Sequence, residues 1–287
     1  MPGNEPLIRN ISDTARWVAA YRAMETERPD ALFHDPYARR LAGDRGAQIA
    51  SAMEFQGRNT WPFTMRTVLI DELLMQKIAQ GADMVINLAA GLDARPYRLN
   101  VPASLRWVEI DLPEILAYKE EILVDEKPRC SLERLRVDLS KPEARRPVFE
   151  DLARRSKSAV ILSEGLLVYL TSDDVTLLAA DLATPASFRN WIIDLASPGL
   201  VKMLAKRSMG KALDTAGIPF KFAPPEGAEF FEKCGWKPLE VHSVFHKAAK
   251  LKRLPFWMRF FALFPDTPAS RQKRPWSGVC LLGRKSV

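Results

Sequence analysis

Residues 84–99, MVINLAAGLDARPYRL, constrain the fold of this chain more than any other stretch. A short apolar and β-branched run from Met84 to Leu88 has the pattern of a strand. It stops at Ala89-Ala90-Gly91 and then at Asp93. Small residues at the C-terminal end of a strand let a ligand approach the backbone, where a longer side chain would block it. In an open α/β sheet such strand ends form the crevice that takes nucleotide-like ligands. A second strand, Trp107-Val108-Glu109-Ile110, ends at Asp111, about twenty residues after the first. That position suits a carboxylate that accepts hydrogen bonds from ribose hydroxyls. Gly91 with Asp111 therefore reads as a site for an adenosine-containing cofactor.

Beyond residue 84, strands and helices alternate. Strands are predicted at 84–88, 106–110, 132–137, 159–163 and 189–194, with helices at 113–126, 143–155 and 172–184 between the later ones. Such alternation implies right-handed crossovers and a mainly parallel sheet. Helical segments near 198–208 and 226–234 follow, and strands 236–241 and 278–283 form an antiparallel closing pair at a sheet edge. Before residue 84 the chain reads as helix. Ser12 or Asp13 is the expected N-cap of a first helix that ends by Pro29. A short helix follows Asp35-Pro36, and a longer one runs over 63–79 until Gly81. These readings divide the chain into a helical N-terminal cap or lid, 1–82, and an α/β core, 83–287. Within the core, 243–275 is a basic, aromatic, helical insertion before the last strand.

The 287 residues, 47% hydrophobic and 27% charged, suffice for a sizeable core. No apolar run approaches the ~20 residues that span a bilayer, and MPGNEPLIRN lacks the apolar centre of a signal peptide, so a cytoplasmic protein is expected. Cys130, Cys234 and Cys280 have neither metal-ligand nor disulfide spacing and are expected as reduced, packed thiols. No metal is expected. The net charge of +7 is partly local, with bases crowding residues 247–274. There the segment Leu254 to Phe264 is aromatic, flanked by bases and too short to cross a membrane. It reads as a helix packed on the core, a wall of an acceptor pocket, or a weak contact with a membrane surface.

Four strand ends carry the chemistry. The first is Ala89-Ala90-Gly91-Leu92-Asp93, the second Asp111, the third Val137-Asp138-Leu139 and the fourth Ser163-Glu164-Gly165. Acidic residues on successive strands at the carboxyl edge point at one pocket. Asp138 can accept an adenine amino proton, and Leu139 can pack on the ring. Dinucleotide sites hold pyrophosphate on a G-x-G-x-x-G turn. Here the turn has one glycine and an inward carboxylate, which repels pyrophosphate and favours a sulfonium or ammonium. S-adenosyl-L-methionine fits this site better than NAD.

The combination of SDTARWVAAYRAME, DALFHDPYA, MRTVLIDELL, NLAAGLDARPYRL, VEIDLPEIL, VDLS and LSEGLLVYL resembles the leucine carboxyl methyltransferase family. Within it, the resemblance is to the bacterial branch of S-adenosyl-L-methionine-dependent methyltransferases that includes polyketide carboxyl O-methyltransferases. It implies a class I methyltransferase fold, Rossmann-like, with a seven-stranded sheet whose last strand is antiparallel and with a helical N-terminal lid. It also implies site roles. Arg66 binds the methionine carboxylate, Gly91 lines the methionine portion, and Asp111 with Leu112 holds the ribose. Asp138 and Leu139 take the adenine, Glu164 the amino-acid end near the acceptor mouth, and Ala89 and Asp93 complete the set. Where the family has Gly-Ala-Gly, this chain has Ala89-Ala90-Gly91, and the Ala89 methyl narrows the approach.

The expected activity is O-methylation of a carboxylate, or a hydroxyl, on a small to medium apolar acid such as a polyketide-type metabolite. An ionised carboxylate needs no general base, whereas a phenol is helped by one. Tyr169 is the candidate for positioning the acceptor oxygen beside Glu164. Of His34, His242 and His246, only His242 is a candidate base. Trp17, Tyr21, Trp61, Phe63 and Phe222 are candidates for an apolar acceptor wall or for core. No N/D-P-P-Y/F turn follows strand four, so no nucleic-acid partner is expected. The alternatives are a cofactor-binding, membrane-associated protein without turnover and an NAD-dependent oxidoreductase.

Overall fold

The computed structural model describes residues 6–53, 60–264 and 274–285. Three helices come first, α1 (Ile11–Thr26), α2 (Ala38–Ala52) and α3 (Trp61–Ala79). The α/β part then runs β1 (Met84–Leu88), α4 (Arg95–Arg98), β2 (Arg106–Asp111), α5 (Pro113–Ile122), β3 (Ser131–Arg136), α6 (Pro142–Arg155), β4 (Ala159–Ser163), α7 (Ser172–Ala183) and β5 (Phe188–Ala196). It ends with α8 (Pro198–Ala205), α9 (Ser208–Thr215), β6 (Trp236–Ser243), α10 (Val244–Lys250), α11 (Phe256–Arg259) and β7 (Ser277–Arg284). The seven strands lie in the order β3-β2-β1-β4-β5-β7-β6. The first five are parallel, and β7 runs antiparallel between β5 and β6. This is the class I, Rossmann-like sheet, with its last strand antiparallel as expected.

Period-two alternation along the strands feeds two layers of core. Met84, Ile86 and Leu88 face one side, where Phe149 and Leu152 of α6, Val175 and Leu178 of α7 and Phe231 cover them. Val85, Trp107, Val160, Ile192 and Leu281 face the other side, against Leu69 and Leu73 of α3 and Val244 and Ala248 of α10. A third cluster has a different role. Trp17 and Tyr21 of α1, Leu41 and Ile49 of α2, Ile115 of α5 and Met209 of α9 meet Leu92, Ala94 and Tyr97, so that helices roof the carboxyl edge of the sheet. Cys130, Cys234 and Cys280 are buried free thiols.

Several local readings shift. The N-cap of α1 is Asn10, whose Oδ1 accepts from the Asp13 amide at 3.2 Å. Asp13 is instead buried one turn in, where Arg9 and Arg45 hold its carboxylate. The short helix after Pro36 becomes α2, which extends to Ala52 across a break at Gly43, φ 57°. Residues 227–234 wind as 3₁₀ rather than α-helix. The helix foreseen at 198–208 is two, α8 and α9, broken at Lys206-Arg207. Of the insertion at 243–275, α10, α11 and a 3₁₀ turn at Phe260–Leu263 are present, while 265–273 lie outside the described residues.

Candidate active site

Strand register brings the site together. Leu88 of β1 is level with Ile110 of β2 and Ser163 of β4, and Ser163 is level with Ile193 of β5. The residues that follow, Ala89, Asp111, Glu164 and Asp194, therefore emerge along one edge. β3 ends level with Asp111, which puts Val137 one residue and Asp138 two residues beyond it. Strand order reverses between β1 and β4, and a crevice opens at such a switch point. It is a cavity of about 490 Å³, in the ~300–1,000 Å³ range of small-molecule sites. Arg66, Ala89, Gly91, Asp93, Asp111, Leu112, Asp138, Leu139, Glu164 and Tyr169 all line it.

At one end, the Gly91 amide donates to Asp111 Oδ2 at 2.6 Å and the Leu112 amide to Oδ1 at 2.7 Å. Burial pushes the Asp111 carboxyl up, and these two N–H donors partly offset that. Gly91 has φ 47°, and an added Cβ would meet the Ala15 methyl at 3.4 Å. Ala89 also adopts a left-handed conformation, φ 50°, which a side chain disfavours. Further along, Asp138 Oδ1 accepts from the Ser140 amide at 3.0 Å and hydroxyl at 2.6 Å. The Ser140 hydrogen bonds hold its carboxyl below the usual range.

A charged cluster occupies the centre. Arg66 donates to Glu164 Oε1 at 3.0 Å and to Asp194 Oδ2 at 3.1 Å. The second Glu164 oxygen accepts from Arg95 at 2.8 Å, and the second Asp194 oxygen from the Gly165 amide at 2.8 Å. Arg95 also reaches Asp93 at 2.8 Å and Asp71 at 2.6 Å, and Arg98 shares Asp71. Asn87 donates to Asp93 from within β1. Burial works against the charges of Asp93 and Glu164, yet the guanidiniums beside them hold both carboxyls below their ordinary range. At Asp194 burial prevails over Arg66, and the carboxyl is pushed up.

Asp194, Arg95 and Asp71 are functional neighbours that the reading of the sequence missed. Asp194 lies near the carboxyl end of the fifth strand, one residue past the level of Ser163, and so reaches the same edge as the other three acids. Arg95 and Arg98 lie within 84–99, but Asp71 and Glu164, with which they also pair, are 24 to 69 residues away. The cluster sets three guanidiniums against four carboxylates, so it offers a cation a better environment than it offers a phosphate.

The far part of the cavity is apolar. Leu200, Val201 and Leu204 of α8, Met209 of α9, Ile218 and Phe220 line it. Trp17, Phe63 and Phe222 also reach the cavity, whereas Tyr21 packs behind Trp17 and Trp61 packs on Phe245. Tyr169 packs against Phe220, and burial pushes its phenol up to about 12. Among the described residues no histidine lines the cavity. His34 is exposed, His242 is bonded to Glu240, and His246 to Ser243 and the Phe264 carbonyl. His242 is therefore not placed to act as a base there.

Comparison with known proteins gives the family and the fold. The family model described as leucine carboxyl methyltransferase matches residues 15–183. The chain belongs to the leucine carboxyl methyltransferase family. A relative from Streptomyces avermitilis, provisionally named an S-adenosyl-L-methionine-dependent methyltransferase, is 32% identical over 91% of this chain and 92% of its own. Another of the same description, from Frankia alni, is 32% identical over 84% of this chain and 87% of its own. A crystal structure from Thermobifida fusca, provisionally described as a methyltransferase, superposes with TM-score 0.58 at 14% identity, covering 99% of this chain and 98% of that one. A DUF574 family protein from Streptomyces avermitilis superposes with TM-score 0.57 at 13% identity, covering 95% and 97%. These two likenesses are of fold.

The site's own chemistry fits the cofactor of this methyltransferase family. Asp111 presents carboxylate oxygens to the cavity, beside a glycine whose missing side chain leaves the backbone open. Arg66, Glu164 and Asp194 offer both signs of charge to a zwitterionic amino acid. The single-glycine turn with Asp93 provides no pyrophosphate cradle.

Proposed function

We propose that this protein methylates the carboxylate oxygen of a small to medium apolar acid. The protein is a methyltransferase, and S-adenosyl-L-methionine is its cofactor. When bound, that cofactor supplies an electrophilic methyl on a sulfonium, displaced in line with a neutral leaving group. In this reading Asp111, with Leu112 beside it, holds the ribose diol, while Asp138 and Leu139 hold the adenine. Gly91, Ala89 and Asp93 shape the methionine portion. Arg66 takes the methionine carboxylate, and Glu164 with Asp194 takes the ammonium. Tyr169, protonated at neutral pH, donates a hydrogen bond that orients the acceptor oxygen. The segment 1–82, through α1 and α2, serves as the lid over this crevice. Alignment of donor and acceptor supplies much of the rate.

One observation favours a carboxylate acceptor over a hydroxyl. Among the described residues no histidine lines the cavity, both oxygens of Glu164 and of Asp194 already accept hydrogen bonds, and Tyr169 stays protonated. An ionised acid needs no base, and the leucine- and phenylalanine-lined lobe suits an apolar body. The test begins with calorimetric titration of S-adenosylhomocysteine into wild type and Asp111→Ala. Micromolar binding that is lost in the variant supports the site assignment. Turnover on a panel of apolar acids and matched phenols then tests the acceptor. Turnover on acids with a flat rate from about pH 6 to 9 is expected. Turnover on phenols alone, rising with pH, would overturn the carboxylate reading.

A further inference from the structure

Among the described residues eleven large apolar side chains are exposed, and six of them fall between Phe256 and Phe264. Those six include all of the exposed aromatic ones; Phe256 is 86% and Trp257 68% exposed. The segment is anchored rather than loose. Leu254 is buried, Met258 packs on the layer of α3 and α10, and the Phe264 carbonyl lies 3.1 Å from His246 Nε2. Phe260 contacts Phe261 and Phe264 ring to ring. The fold thus holds an aromatic face outward.

The charge carried by this segment itself has one sign. From Val241 to Pro265 the chain has no acidic residue. Lys247 is paired with Glu72, and Arg253 with Glu25 and Asp30. Lys250, Lys252 and Arg259 are exposed and have no acidic partner among the described residues. Aromatic rings with a basic border match the headgroup–acyl boundary of an anionic bilayer. A second copy of the chain, meeting this face symmetrically, would set the same three cations against each other. Lysine is also depleted from protein–protein interfaces. No helix among the described residues is long and apolar enough to cross a membrane, so contact at this face is peripheral.

We propose that residues 250–264 form a docking surface for an anionic phospholipid bilayer. Phe256, Trp257, Phe260 and Phe261 enter the boundary region, and Lys250, Lys252 and Arg259 meet the phosphates. The test is co-sedimentation of the full chain with mixed phosphatidylglycerol–phosphatidylcholine vesicles and with phosphatidylcholine alone, at low and high salt. Binding to the anionic vesicles, weakened by salt, is expected. Lys250→Ala and Lys252→Ala should each weaken it about fivefold. Phe256→Ser with Trp257→Ser should weaken it roughly tenfold or more, while titration with S-adenosylhomocysteine stays unchanged and so reports an intact fold. Failure of wild type to bind anionic vesicles would overturn the proposal, as would equal binding by the serine variant. So would a serine variant that alters sedimentation velocity but not vesicle binding, which would assign the face to contact between copies.

Discussion

Ala89, with φ 50°, holds a side chain in the left-handed region that glycine favours. A side chain in the left-handed region loses roughly 1–2 kcal/mol. Glycine removes that strain but brings about 0.4–1 kcal/mol of unfolded-state entropy. Ala89→Gly should therefore raise stability by about 0.5–1 kcal/mol, read as a shift in the urea midpoint at constant slope. A lower midpoint would mean that the neighbouring turn depends on the methyl group. Asp111, beside it on the same edge, carries no such backbone strain. It ends a strand, and its two oxygens already organise the Gly91 and Leu112 amides.

Among elements, α1 both lines the cavity and reaches the turn after β1. Arg22, on α1, donates to Asp35 at 2.8 Å and to the Leu92 carbonyl at 2.5 Å. One guanidinium thereby ties the first helix to the turn after β1. Asp35 is 1% exposed, and a buried carboxylate deprived of its cation costs about 3 kcal/mol or more. Arg22→Gln should lose about that much stability and also weaken S-adenosylhomocysteine, because the turn at 91–93 loses its tether. Denaturant unfolding and calorimetry check the two effects separately. Unchanged affinity would show that α1 roofs the crevice without positioning its floor. The pairing of α8 with α9 makes a similar point in the apolar lobe, where two short helices rather than one bring Leu204 and Met209 to the same wall.

For the molecule as a whole, the central charge cluster sets the response to acid. Asp93 and Glu164 have native carboxyl pKa values below their ordinary 3.8 and 4.5. The stability they contribute is complete above those ordinary values and is lost as pH falls through the depressed ones. Asp111 and Asp194, pushed up by burial, act in the opposite sense: their ionisation disfavours the native state as pH rises. Asp93→Asn should thus be less stable than wild type at neutral pH, yet lose less on acidification between about pH 5 and 2. Urea unfolding across that range reads it. Equal slopes for both proteins would place the acid lability outside the cluster.

The sequence by itself determined the sheet and most of the candidate crevice. Strand ends were legible because apolar runs stop where small or acidic residues begin, and β1 and β4 fall on their expected residues. The same rule collected Gly91, Asp111, Asp138 and Glu164, since parallel strands in register must present their carboxyl ends together. Arg66 and the roles of the set came from the family resemblance. Helix ends were less legible: the α1 cap moved to Asn10 because the burial of Asp13 by two arginines is a tertiary matter. Tertiary structure alone decided the pairing of Arg95 with Glu164, 69 residues away, and of Arg66 with Asp194, 128 away. It also decided that His242 faces Glu240 rather than the cavity, and that the aromatic segment at 256–264 points outward. Periodicity names the faces of an element, but only packing against distant elements decides which face is covered and which charge finds a partner.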